Sequence, residues 1–166
     1  LQVRALKDLR NPDATTQLDK AANDTVEIHW ERWGKSCDLS GRHKTFYSLL
    51  RTAVKGVARD GEALIRVVRD RRLPYGIALQ LLEADRLDET MNVRLDNGHT
   101  VRQGVEIDSA LRPVAYYIKS NHPGDNYALA SNTTERLPAS DIYHLFTPDR
   151  AQQVRRVPCP HAIIMR

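Results

Sequence analysis

The fold of this 166-residue chain is decided in the stretch Asp60-Gly61-Glu62-Ala63-Leu64-Ile65-Arg66-Val67-Val68. Before this stretch, apolar residues recur every three or four positions, as they do on one face of a helix. From Ala63 onward they alternate, which predicts a strand with one fully and one partly buried face. Asp60-Gly61 is a helix stop signal. The sequence therefore predicts a helical part that is followed by a sheet.

Two helices are predicted before this change of period. The first covers about Thr15 to Trp33, with a start signal at Asn11-Pro12-Asp13. The second runs from about His43 to Arg59. Its apolar stripe consists of Phe46, Leu49, Leu50, Ala53, Val54, Val57 and Ala58. Each helix thus has one apolar face that can pack against a sheet.

Several strands separated by turn signals are predicted after the helices. The predicted strands are 63–68, 77–82, a short one around 93–95, 101–108, 114–119 and 141–146. Asp96-Asn97-Gly98 predicts a hairpin with a primed turn, whose two central residues need positive φ. Residues 120–134 are polar and predict a long exposed loop. The predicted class is α+β, with two N-terminal helices packed on an antiparallel β-meander.

The length predicts about one domain, which covers residues 1–166. We divide it into a helical part (1–60), an antiparallel sheet (61–147) and a basic tail (148–166). The chain begins without Met and ends in a new apolar run, so we expect it to be a piece of a longer protein. No apolar run approaches the ~18 residues of a membrane-spanning helix. Two cysteines, Cys37 and Cys159, are too few for a disulfide framework and favour a reducing compartment.

The charge balance is mildly basic, with 25 Lys and Arg against 21 Asp and Glu, a net charge of +4. Such a balance permits contact with nucleic acid but does not require it. Acidic residues lie among the arginines that follow the first strand, whereas the tail arginines have fewer acidic neighbours. The candidate contacts to nucleic acid or to a partner protein are Arg71, Arg72, Arg150, Arg155 and Arg156. The tail arginines could bind carboxylates of a neighbouring subunit through bidentate hydrogen bonds.

Residues that could carry chemistry are scattered. The possible soft metal ligands, which lack the spacing of known sites, are His29, Cys37, His43 and the triplet Cys159-Pro160-His161. Asp85, Glu106 and Asp108 could hold Mg²⁺ in a nuclease, but no lysine follows at close range. Asp108 is better suited to open a turn by bonding the backbone ahead of it. The sequence therefore predicts no catalytic, metal or cofactor site.

The pair Trp30-x-x-Trp33 lies on one helix face, because residues three apart are neighbours there. Two interpretations stay open for it. The rings could pack into the core of the chain, or they could anchor a subunit interface, where Trp is enriched.

A series of motifs occurs in a fixed order along the chain. The motifs are Trp30-x-x-Trp33, Asp38-x-x-Gly41, Asp60-Gly61-Glu62, Leu79-Gln80-Leu81-Leu82-Glu83-Ala84-Asp85-Arg86-Leu87, Gly104-Val105-Glu106-Ile107-Asp108, Arg112-Pro113-Val114-Ala115-Tyr116-Tyr117, Leu137-Pro138-Ala139-x-Asp141-Ile142-x-His144-Leu145-Phe146 and Arg150-x-x-Gln153-x-Arg155-x-Val157-Pro158. Their order and spacing over about residues 25–164 resemble the portal proteins of lambda-like tailed phages.

The chain departs from this family at a few positions. The family tends to have glycine where Leu111 stands, so this leucine must avoid positive φ or accept strain. In the closing stretch, the family's Pro, two Gly and Trp are replaced by Ala151, Gln152, Arg156 and Cys159. These replacements affect the tail and leave the middle of the resemblance intact.

The resemblance implies a structural role without enzyme activity and without a cofactor. Portal proteins form a dodecameric ring at one vertex of the head, through which DNA is packaged and ejected. The ring docks terminase, head completion and tail-joining proteins. This chain would be part of the N-terminal, or wing, region, and double-stranded DNA would meet mainly later segments. It would be found in the virion and, during assembly, in the host cytoplasm. The alternatives are a nucleic-acid-binding module that uses the arginines and a metal-dependent nuclease.

Overall fold

The computed structural model describes residues 20–122 and 133–156. Within these ranges, two helices precede eight strands. The elements are α1 (Lys20–Gly34), α2 (Phe46–Asp60), β1 (Ala63–Arg69), β2 (Ile77–Leu82), β3 (Val93–Arg94), β4 (Thr100–Arg102), β5 (Val105–Ile107), β6 (Pro113–Lys119), β7 (Thr134–Pro138) and β8 (Ile142–Leu145). This order confirms the predicted α+β class with two N-terminal helices. Neither helix is long and apolar enough to cross a membrane.

Helix α2 has defined signals at both ends. The Thr45 side chain accepts a hydrogen bond from the Ser48 N–H at 3.1 Å, and the Ser48 hydroxyl accepts one from the Thr45 N–H at 3.2 Å. This reciprocal capping box satisfies amide groups that the first turn leaves without partners. At the other end, Gly61 has a φ of 89°, and its N–H donates to the Val57 carbonyl. The stop predicted at Asp60-Gly61 is confirmed, and the helix begins three residues after the predicted start at His43.

Helix α1 contacts the rest of the chain through its tryptophans and through His29, and none of its residues is fully buried. The Trp33 Nε1–H donates to the Ile77 carbonyl at 3.0 Å. The Trp30 ring lies 5.0 Å from the Trp33 ring and 5.3 Å from the Phe46 ring, centroid to centroid. The tryptophan pair therefore packs α1 within the chain, against the start of α2 and against β2. The predicted helix start at Thr15 lies outside the described residues.

The described strands form two antiparallel sheets. The three-stranded sheet has the order β2-β1-β8, and the five-stranded sheet has the order β3-β4-β5-β6-β7. The predicted meander is thus present in the five-stranded sheet. The expectation of a single sheet over 61–147 was wrong, because β8 returns to pair with β1 in a separate sheet, with Leu64 opposite His144.

Two turns differ from the prediction. The strand expected over 101–108 is interrupted, because Gln103 and Gly104 form a two-residue turn with φ of 49° and 82° between β4 and β5. In the hairpin at Asp96-Asn97-Gly98, only Gly98 has a positive φ. Its N–H donates to the Leu95 carbonyl, which is typical of a three-residue hairpin loop. The hairpin was predicted correctly, but the primed turn lies at Gln103-Gly104.

Strand β7 was missed in the sequence. It pairs with β6, with Ala115 opposite Pro138 and Lys119 opposite Thr134. Leu137 is its one buried residue, so its apolar alternation is too weak to predict a strand. Most of the loop predicted over 120–134 lies outside the described residues.

Two apolar clusters meet at β1. Its residues Ala63, Ile65 and Val67 pack under α2, while Leu64 faces the second cluster, which the five-stranded sheet shares. The cluster under α2 also contains Leu49, Ala53 and Leu79, and the second cluster contains Leu82, Leu87, Val105, Ile107, Tyr116, Ile118, Leu137 and Ile142. The alternation predicted for this strand is therefore what places the helices on one side of it and the larger sheet on the other.

At two positions where the resemblance implies glycine, the backbone of this chain is left-handed. Leu111 has a φ of 63° and Gln152 has a φ of 65°. A side chain in this conformation costs about 1 kcal/mol. Leu111 offsets this cost by packing against the second cluster. Leu111 therefore adopts a positive φ and accepts the strain, which was one of the two outcomes expected from the sequence.

Substitution of Gly104 tests how closely the turn between β4 and β5 packs against the chain. A Cβ atom at this position would lie 2.7 Å from the Asp88 carbonyl oxygen. We expect Gly104→Ala to lower the free energy of unfolding by about 3 kcal/mol, since overpacking adds to the backbone strain. Gly98→Ala is the matched control, because Gly98 has a similar φ of 84° and open space around it. It should cost about 1 kcal/mol. Equal losses in urea unfolding would contradict this account.

Candidate functional site

A cleft of about 660 Å³ lies between α2, the loop before it and the ends of β2 and β6. Its rim is charged, and some of the charges form ion pairs, whereas Arg42 and Lys55 line it without an ion pair to a described residue. Arg59 binds Asp60 at 2.7 Å and lies 3.7 Å from Glu83, and His122 lies 3.1 Å from Glu83. The cleft is a polar surface depression, and its charged groups do not converge on a common point.

The proposed metal ligands do not come together. In the part of the chain that the structure describes, no three His, Cys, Asp or Glu side chains form a group that could hold a metal ion. His29 contacts the Tyr75 hydroxyl at 3.3 Å. Cys37 is buried, and burial raises the pKa of its thiol. Cys159 and His161 lie outside the described residues.

Glu106 is completely buried within the five-stranded sheet. Arg136 donates to both of its carboxylate oxygens, at 2.7 and 3.0 Å. His99 Nδ1 lies 2.8 Å from one oxygen, and the Tyr117 hydroxyl donates to the other at 3.2 Å. The hydrogen bonds from Arg136 are the main cause that lowers the pKa of Glu106 to about 2, against the effect of burial. This carboxylate is held by side chains of β6 and β7 and by His99, which directly precedes β4.

The other two carboxylates of the nuclease alternative have separate surroundings. Asp108 accepts hydrogen bonds from the N–H groups of Ala110 and Arg112, at 2.8 and 2.9 Å. These bonds confirm the turn-opening role that was predicted for it. Asp85 is exposed and lies 3.7 Å from His122. With Glu106 enclosed in its own network, the geometry gives the nuclease alternative no support.

Glu62 is the buried carboxylate that binds the tail. It precedes β1 and is 1% exposed. Arg155 Nε donates to one oxygen at 2.7 Å, and His144 Nε2 lies 2.9 Å from the other. Burial alone would raise the pKa of Glu62, but the hydrogen bonds and charges of His144 and Arg155 outweigh it and lower the pKa. Burial and the charge of Glu62 raise the pKa of Tyr116 to about 12. Glu62 thus attaches the tail to β1 and β8.

Asp38 organises the loop before α2. Its carboxylate accepts hydrogen bonds from the Ser40 hydroxyl at 2.7 Å and from the His43 N–H at 2.8 Å. On either side of Asp38, the Leu39 N–H donates to the Leu79 carbonyl and the Leu79 N–H to the Cys37 carbonyl. The motif Asp38-x-x-Gly41 is therefore a turn that is bound to β2.

The five candidate arginines fall into two groups. Arg155 also donates to the Ala84 carbonyl, and Arg156 donates to the Thr147 carbonyl and pairs with Asp149. Arg72 binds Asp70 with its guanidinium at 2.7 Å. Arg71 and Arg150 are exposed, and neither forms an ion pair with a described residue. The structure therefore gives Arg72, Arg155 and Arg156 partners within the chain.

A basic stretch lies outside the arginines that were singled out from the sequence. Residues 39–59 contain no Asp or Glu. The stretch holds five cationic residues, Arg42, Lys44, Arg51, Lys55 and Arg59. A count of charge along the sequence, rather than over the whole chain, would have found it.

Two comparisons with known proteins identify relatives. The family described as "Phage portal protein, lambda family" matches residues 1–166. A protein of Halomonas phage phiHAP-1, described as "Probable portal protein", is 39% identical over 140 residues. That match covers 82% of this chain and 27% of the relative, so the chain spans about a quarter of the length of that protein.

Substitution of Arg155 tests whether the tail stabilises the folded chain. We expect Arg155→Ala to lower the free energy of unfolding by about 3 kcal/mol, because it leaves the Glu62 charge buried without its guanidinium partner. Arg150→Ala is the matched control, since Arg150 is exposed, and its effect should stay within about 0.5 kcal/mol. Equal effects of the two variants in denaturant unfolding would rule out this role for Arg155.

The lowered pKa of Glu106 predicts that the free energy of unfolding depends on pH. Its pKa of about 2 in the folded chain lies below the ordinary value of 4.5. Its contribution to stability is therefore complete above pH 4.5 and is lost as the pH falls toward 2. In Glu106→Gln, the slope of unfolding free energy against pH should decrease in this window by up to about 1.4 kcal/mol per pH unit.

The control for this measurement is Glu89→Gln, because Glu89 is exposed and its side chain forms no ion pair with a described residue. Its slope should match that of the unsubstituted chain. An unchanged slope for Glu106→Gln in urea unfolding between pH 5 and pH 2 would show that Glu106 does not titrate in this range.

Proposed function

This chain belongs to the lambda family of phage portal proteins, and we propose that it is part of a structural subunit of a portal ring. DNA would pass through this ring when it is packaged into the capsid and when it is ejected. The family is one of structural, non-enzymatic proteins. We assign residues 1–166 to the N-terminal, or wing, region of the subunit. The site of action is the portal vertex of the virion, and the host cytoplasm during assembly.

The arrangement of the buried charges is the observation that carries this proposal beyond the family match. Glu62, Glu106, Asp38 and Asp88 are the buried acidic residues of the described ranges. Each of them accepts hydrogen bonds from neighbours that fix a loop, a strand or the tail. Carboxylates used in this way support a rigid scaffold and leave no acid–base pair for catalysis. Such a scaffold suits a subunit that acts through its shape and its neighbours.

The partners follow from the same proposal. The subunit would assemble with copies of itself into a dodecameric ring, which docks terminase, head completion and tail-joining proteins. Of the five candidate arginines, we retain Arg71 and Arg150 as contacts to a partner or to DNA. Both are exposed, and no ion pair within the described ranges occupies them.

Electron microscopy of the full-length protein that contains this chain tests the proposed function. We expect rings with a central hole, because a portal subunit closes a ring through repeated head-to-tail contacts. A population that consists of monomers at high protein concentration would contradict the proposal. The variant Arg71→Ala with Arg150→Ala should still form rings, and it should retain double-stranded DNA or a docking protein less well at low salt.

A further inference from the structure

Helix α2 carries a basic stripe on the side that faces away from the core. We define the basic stripe as Arg51, Lys55 and Arg59, which lie on one face because they are four residues apart. Arg51 and Lys55 are exposed and form no ion pair with any residue in 20–122 or 133–156. Exposed apolar side chains lie beside this stripe, since Tyr47 is 69% and Val54 is 65% exposed.

Helix α1 carries an acidic stripe on a side that faces away from Trp33. We define the acidic stripe as Asp24, Glu27 and Glu31, which share one face because they are spaced three and four residues apart. All three are exposed, and none forms an ion pair within the described part of the chain. Ile28 lies beside them and is 49% exposed. At 100° per residue, this face is roughly opposite to Trp33.

The two stripes match in sign, in spacing and in their apolar neighbours. Glu27 and Glu31 are four residues apart, and so are Arg51 and Lys55, which places each pair about 6 Å apart along its helix. Within one chain these pairs do not meet, since no ion pair joins them in the described residues. Opposite charges on two different helices can therefore be satisfied by contact between two copies.

We infer that the basic stripe of α2 in one subunit docks against the acidic stripe of α1 in a second copy of this chain. This inference rests on the proposed function, because it names the surfaces through which the ring subunits meet. The contact is heterologous, since each copy offers a different helix to each of its two neighbours. Repeated contacts of this kind close into a ring when the rotation between subunits permits it.

Nucleic acid is the competing occupant of the basic stripe. A DNA backbone would satisfy Arg51 and Lys55, but it would leave the acidic stripe without a partner. The exposed apolar residues beside both stripes also favour a protein surface, because a phosphate backbone offers them little apolar contact. Charge complementarity between α1 and α2 therefore favours a second copy of the chain.

Charge reversal in the full-length protein tests the inference. The basic reversal is Arg51→Glu with Lys55→Glu, and the acidic reversal is Glu27→Lys with Glu31→Lys. Each reversal alone places like charges opposite each other, and it should raise the protein concentration needed for half-maximal ring assembly at least about tenfold. An equal mixture of the two variants should assemble, because every contact between unlike copies then pairs opposite charges. This rescue would also show that both variants are folded.

The matched control is Arg94→Glu with Arg102→Glu, which changes the charge as much as the basic reversal at two exposed positions of the five-stranded sheet. It should assemble like the unsubstituted protein. Normal assembly of both reversal variants would overturn the inference and leave the proposed function intact. Failure of the mixture, with circular dichroism unchanged in each variant, would also overturn it.

Two further outcomes distinguish the remaining possibilities. If the basic reversal weakens retention of double-stranded DNA while both reversal variants form normal rings, the stripe is a nucleic-acid surface and the inference is overturned. If the unsubstituted protein forms no rings, the proposed function fails, and the inference fails with it.

Discussion

The buried ion pair between Glu62 and Arg155 is the interaction on which the arrangement of the described residues depends most. It joins residues 93 positions apart in the sequence, and His144 on β8 contacts the same carboxylate. β1 and β8 pair with each other, and the ion pair attaches the tail that follows β8 to the start of β1. A buried carboxylate is also strongly destabilising when one of its partners is removed. Glu62 therefore fixes the course of the tail at the point where α2 ends and β1 begins.

Strand β1 joins the two apolar clusters, because its residues belong to both of them. β1 pairs with both β2 and β8, so it is the central strand of the three-stranded sheet. Its alternating side chains reach the helices on one face and the larger sheet on the other. Glu62 lies directly before this strand, so its ion pair acts where the helices, both sheets and the tail come together. Shifted pKa values often mark catalytic groups. In this chain, the shifted pKa values of Glu62 and Glu106 arise from hydrogen bonds with other side chains of the same chain.

The sequence predicted the features that depend on local rules. The end of α2 at Gly61 and the bounds of β2 follow from glycine and from the alternation of apolar residues, and the class α+β follows from the order of the elements. The division into two sheets could not be predicted, because the pairing of β1 with β8 joins distant segments. The turn at Gln103-Gly104 was missed because glutamine rarely adopts positive φ.

The candidate site was less predictable than the fold. Arg155 resembled a surface group in a basic tail, whereas its partner Glu62 lies 93 residues earlier in the chain. Spacing in the sequence carries no information about such partners. By contrast, the resemblance to lambda-like portal proteins could be read from the motifs, and the family match confirms it.

The buried carboxylates act as ionised structural groups and not as catalytic ones. NMR titration of the Glu62 side-chain carboxyl carbon tests this role most directly. We expect the signal of the ionised form to persist below pH 4.5, the ordinary pKa of this group, because Arg155 and His144 stabilise the charge. A carboxyl group that takes up its proton between pH 5 and pH 7, as a general acid or base does, would contradict the claim.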